Sequence, residues 1–184
     1  MNDEVSHGTQ SLAPMLPDSS RRVADMATEF LTDHPEFLND FLELSFSEEY
    51  PLAMRASRVV YLFSLEAPEL IGPQLKNILN HLQHLKNESA IRNLLHIFDP
   101  FITSIGEDEL GKLVDLCFRY LEDPSRAIAI RAYSLKILLA AGDRIPEIKS
   151  ELLYFLEFAQ EEETVSFRKM TNKVIKQLRR EIIR

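Results

Sequence analysis

Ala53-Met54-Arg55 returns along the chain as Ala90-Ile91-Arg92, Ala129-Ile130-Arg131 and Ser166-Phe167-Arg168, with the arginines 37, 39 and 37 residues apart. Each copy is a small residue, an apolar residue and an arginine. Six residues beyond each arginine stand Tyr61, Phe98, Ile137 and Val174. Positions seven apart return to the same side of a helix, so each copy marks one helical face, and its small residue lets a neighbouring helix approach closely. A period near 40 with helical patterning inside each unit predicts an all-α chain of stacked helix pairs, a right-handed α-α superhelix. In such a solenoid each unit rests on its neighbours, and binding falls to exposed faces.

Working outward from the triplets, the spacing predicts about nine helices: one N-terminal helix and four pairs, each with an A and a B helix. Asp18, Ser19 and Ser20 are candidate N-caps for the first helix, with Val23, Met26, Ala27 and Phe30 on its apolar face. The pairs are expected at about 35–44 and 48–65, 73–85 and 88–98, 107–121 and 124–141, and 146–160 and 164–182. Asp33 and Pro35 read as the start of the first A helix, and Asp123-Pro124 as an N-cap and N1 proline for the third B helix, which Gly142 would end. Residues 1–17 hold prolines and polar residues without apolar period and read as a disordered tail, leaving 18–184 as a single repeat domain.

A chain of 184 residues can bury about 70% of its unfolded surface in one domain. Five glycines are few for the tight turns of a β-sandwich or barrel. No apolar run reaches the length of a membrane span. The acidic start Met1-Asn2-Asp3-Glu4 does not read as a secretory signal, and the lone Cys117 has no internal partner for a disulfide, so a cytoplasmic location is expected. Net charge is −8, yet Thr164–Arg184 holds seven basic residues and one acid. A basic last helix on an acidic body is the main electrostatic asymmetry.

An arginine early in the second helix of a pair, preceded by acids in the intra-pair turn, resembles HEAT repeats, and the resemblance covers roughly residues 34–182. It implies that Arg55, Arg92, Arg131 and Arg168 pair with turn acids (Glu48 and Glu49, Glu88, Glu122 and Asp123, Glu161 to Glu163) as a ladder bracing neighbouring units. The alternative is a row of arginines gripping phosphates. The segment Leu113–Phe158 is similar to small bacterial HEAT-like proteins of unknown function, some automatically labelled adenylosuccinate lyase. That label has no support here, because the lyase loop Ser-Ser-x-Met-Pro-x-Lys-x-Asn is absent. Alkylpurine DNA glycosylases are also HEAT-built, but they use tryptophans, and this chain has none.

Few residues suggest chemistry. His81 and His84 share a helix face at a metal-ligand spacing, with His96 on the partner helix; a solvated face is the simpler reading. Cys117, among Leu113, Leu116 and Tyr120, reads as a core thiol rather than a nucleophile. We therefore expect no catalytic residues, metal or cofactor. In the last helix, Phe167, Met170, Val174, Leu178 and Ile182 form the expected apolar stripe. Lys169, Lys173, Lys176, Arg179 and Arg180 are candidate contacts to an anionic partner, against the simpler reading of a polar terminal cap. The expected function is a non-catalytic scaffold or adaptor presenting its B-helix face to a protein partner, and the alternative is a repair-related helper binding nucleic acid through those five cations.

Overall fold

The computed structural model describes residues 12–159 and 164–182. Among them are nine helices of eight residues or more, and no strand. They are α1 Arg21–Asp33, α2 Leu38–Phe46, α3 Leu52–Glu66, α4 Leu75–Leu82, α5 Glu88–Ile97, α6 Glu107–Glu122, α7 Ile128–Gly142, α8 Pro146–Ala159 and α9 Val165–Ile182. The protein is thus all-α, with one leading helix and four pairs as the period predicts. The backbone divides into two compact units, Met1–Phe98 and Asp99–Arg184.

In the first unit α3 is central and packs against α1, α2 and α5. Its Ala53, Ala56, Val59, Val60 and Phe63 are fully buried. Two alanines a turn apart leave room for close helix approach, while Val59, Val60 and Phe63 supply the apolar area. Each large apolar side chain buried in this way contributes about 1.5–3 kcal/mol relative to exposure. Asn93 of α5 adds a polar tie, its Nδ2 donating to Ser57 Oγ at 3.1 Å in α3. In the second unit α7 has the same place, packed against α6, α8 and α9. Its sequence is apolar around most of its circumference, as a helix covered on several sides requires.

Local chemistry sets the helix ends. Ser20 caps α1, its side chain accepting from the Val23 amide, and Asn87 Oδ1 caps α5 by accepting from the amides of Ser89 at 3.1 Å and Ala90 at 3.2 Å. Pro51 delays α3 to Leu52, because a residue before proline is pushed away from helical geometry.

Several expectations are corrected. Asp33 ends α1 rather than capping α2, and a 3-10 turn at Pro35–Phe37 leads into that helix. Asp123-Pro124 does not open α7: Asp123 Oδ1 accepts from the amide and hydroxyl of Ser125, closing a turn that holds the chain out of the helix until Ile128. Met26, placed on the apolar face of α1, is exposed, and the buried set is Ala24, Ala27, Thr28 and Leu31. Leu12 and Leu16, read as part of the tail, are each only 1% exposed, while residues 1–11 lie outside the described residues.

Asn87→Ala is expected to lower stability by about 1 kcal/mol, with Asn87→Asp retaining most of it, measured as shifts in the urea midpoint.

Candidate interaction surface

Among the described residues, Arg55 and Arg92 pair with no turn acid, so the ladder that the resemblance implies is not formed at those two copies. Arg55 Nη1 donates to the Leu16 carbonyl at 2.7 Å and its Nε to Ser19 Oγ at 3.2 Å, anchoring the segment before α1. Among the described residues, exposed Arg92 reaches only Asn93 Oδ1, at 3.4 Å. Arg131, 2% exposed, donates from Nε to the Leu121 carbonyl at 2.9 Å and lies 3.9 Å over the Phe167 ring. Arg168 is exposed, and the acids Glu161 to Glu163 expected beside it lie outside the described residues.

The physical reason is that late carbonyls of a helix lack intrahelical partners and attract cations. Leu121 stands in the last turn of α6, within reach of a guanidinium on α7. Arg131 therefore still braces, joining α6 to α9 through a carbonyl and a ring. Its charge, behind Ser125 and Arg126, also helps hold the Asp123 carboxyl below the usual carboxylate range. Lysines make ion pairs of their own: Lys86 reaches Glu48 at 2.8 Å from turn to turn, Lys136 of α7 reaches Asp99, and Lys149 of α8 lies between Asp143 and Glu181 of α9.

The fourth pair has the most distinctive surface. On α9 the buried seam is Phe167, Thr171, Ile175 and Leu178. This corrects the expected stripe: Met170 and Val174 are at its half-buried edge and Ile182 is exposed. The Thr171 hydroxyl is tolerated in the seam because it donates to the Phe167 carbonyl at 3.0 Å. Opposite the seam, exposed Lys169, Lys173, Lys176 and Arg180 follow one another at spacings of four, three and four residues, forming a single ridge. Arg179 faces elsewhere, its Nε donating to Glu157 Oε1 of α8 at 2.7 Å. Of the five candidate contacts, four lie together and one is an intramolecular tie.

On α8 the inward residues are Ile148, Leu152 and Leu156. Tyr154 and Phe158, one turn apart on the outward side, are 76% and 75% exposed. Sequence reading missed them because Leu152-Leu153-Tyr154-Phe155-Leu156 looks like a core run. Two large aromatics a turn apart at this exposure are the composition expected of contact residues.

The other candidates serve the fold. The His81 ring stacks on Phe46 at 3.9 Å, and its Nδ1 lies 3.0 Å from the Asn77 carbonyl. His84 shares with Phe46 and Tyr50 the lining of an open groove of about 600 Å³. Among the described residues no three ligating side chains gather as a metal site. Burial pushes the Cys117 thiol up to about 12, the Ser134 hydroxyl beside it acting weakly the other way. Ser134 Oγ is itself buried without a hydrogen-bond partner among the described residues.

Helix pairs at a period near 40, with an arginine recurring early in each second helix, define a helical-repeat protein. The family model for the HEAT repeat domain matches residues 16–178, and the chain belongs to that family. Such domains are generally non-catalytic and commonly mediate contacts between proteins. No curated protein and no solved structure matches the chain significantly. Among the described residues no helix is long and apolar enough to cross a membrane.

Arg131→Leu strands a late carbonyl and removes the contact to Phe167; a loss of about 2 kcal/mol is expected, smaller for Arg131→Lys, by chemical denaturation. Cys117 is expected to resist alkylation at neutral pH until the chain is unfolded. Because its folded thiol keeps its proton above the ordinary value of 9.0, stability is expected to fall as pH rises from there toward about 12, and Cys117→Ala removes that component of the fall.

Proposed function

We propose that the protein is a non-catalytic scaffold or adaptor that binds a protein partner through its fourth helix pair. The carrying observation is the Tyr154 and Phe158 pair on α8, exposed at 76% and 75%. Tyrosine offers apolar area with a polar tip and few rotamers to immobilise, which suits a contact residue. The cationic ridge of Lys169, Lys173, Lys176 and Arg180 on α9 favours a partner whose contact surface carries acids. The sequence points to the B-helix face; here the B helix supplies charge and the A helix supplies the aromatic anchors. A cytoplasmic setting fits a chain whose single cysteine is a buried core thiol. Cys117, His81 and Arg131 are engaged in packing, which supports a binding role over catalysis.

A second reading rests on the ridge alone: four aligned cations also suit the phosphates of nucleic acid.

A comparison of wild type, Tyr154→Ala/Phe158→Ala and Lys169→Glu/Lys173→Glu/Lys176→Glu in capture from the native host separates the two. A stoichiometric protein partner is expected with wild type, its affinity falling at least about tenfold in the aromatic double variant while helical content is kept. Failure of wild type to retain any such partner, or equal retention by the aromatic variant, would overturn the proposal. Binding of DNA or RNA that weakens steeply with salt and vanishes only on charge reversal would assign the ridge to nucleic acid instead.

A further inference from the structure

In the first unit, Arg55 and Arg58 of α3 and Arg92 of α5 line one cavity of about 70 Å³ beside the N-terminus of α1. We propose that this cavity binds the phosphoryl group of a phosphate monoester or free phosphate, held by the three guanidiniums and the Ser19 hydroxyl.

Charge is the first ground. Among the described residues none of the three arginines bonds a carboxylate. Arg55 donates to the Leu16 carbonyl and Ser19 Oγ, Arg58 to the Ser19 carbonyl at 3.1 Å, and Arg92 to Asn93 Oδ1 at 3.4 Å. Each guanidinium has five N–H donors, so most stay available. Arg55 and Arg58 are half-buried, against walls that include Leu16, Val23 and Met54. Like charges gathered against apolar walls are unfavourable unless an anion joins them. The one acid on the lining, Asp18, is exposed and accepts from the Ser20 amide at 2.7 Å. Three guanidiniums against one carboxylate leave a surplus of two positive charges, the charge that a phosphate dianion neutralises.

Size and shape are the second ground. A water needs roughly 10–15 Å³ of such space, so the cavity takes a group of a few heavy atoms. A tetrahedral oxyanion fits inside, and whatever it is esterified to stays outside. The planar fork of arginine matches phosphate oxygens in pairs, and a low-dielectric wall strengthens those bonds. Arg92, exposed on the same lining, adds a third set of donors to those of Arg55 and Arg58.

The test is titration of the full chain with inorganic phosphate, with phosphoserine and with a phosphoserine peptide, against chloride at matched ionic strength, followed by calorimetry and by the shift in Tm. Saturable binding by phosphate beyond the chloride control is expected. Arg92→Gln and Arg58→Gln should each weaken it about tenfold. Asp18→Asn, which keeps an acceptor for the Ser20 amide but removes the competing charge, should tighten it several-fold. Lys112→Gln, on α6, should leave it unchanged. Preference for the peptide over inorganic phosphate identifies the source as a phosphorylated side chain, and equal or better binding of the free anion identifies a small-molecule ligand; both support the site. Chloride matching phosphate, or Arg92→Gln and Asp18→Asn both binding as wild type does, would overturn it.

Discussion

In the first unit the fold depends on the close contact that the alanine face of α3 permits. Ala53 and Ala56 are fully buried and add almost no bulk of their own, so neighbouring helices meet α3 near its backbone. Val59, Val60 and Phe63, fully buried further along the helix, supply the bulk of its apolar contact. With α1, α2 and α5 arranged on this one element, the positions of Arg55, Arg58 and Asn93 follow, since each is on α3 or on a helix that α3 holds. In the second unit α7 has the same duty with bulkier residues: Ile130, Ile137 and Leu138 are buried, while Ala129 is only partly covered.

That difference alters what the repeated arginine does. Arg131 sits on a helix enclosed on several sides and is itself buried, so it must be satisfied at once, and it takes a late carbonyl of α6 and the Phe167 ring. Arg55 and Arg92 stand nearer the surface and leave donors unused. Arg168 is exposed on α9. One sequence position thus serves as a core brace in one copy and as surface charge in another. Function in a repeat array comes from such departures, because the shared features only hold the array together.

The charge distribution follows the same logic. Lys86 and Lys136 make exposed salt bridges, where flexible stems can reach an acid across solvent and contribute little rigidity, and Arg21 and Arg179 make others. The guanidiniums of Arg55, Arg58 and Arg131 occupy half-buried or buried places, where directional donors matter most. The fourth pair combines a cationic ridge on α9 with two exposed aromatics on α8, tied by Arg179 to Glu157. Charge that steers a partner and area that holds it are therefore present in one helix pair.

The chain's local patterns were enough to determine the all-α class, the four pairs, the centres of the helices and the family, because helical period and spacing are properties of neighbouring residues. They also marked Cys117 as core and the last helix as basic. Tertiary structure alone decided which atoms the arginines meet, since the Leu16 and Leu121 carbonyls that they choose are backbone groups and carry no sequence signature. It also decided that Leu12 and Leu16 are covered while Tyr154 and Phe158 are not. Burial depends on what packs against a residue from far along the chain, and an apolar letter reads the same in a core as on a contact surface.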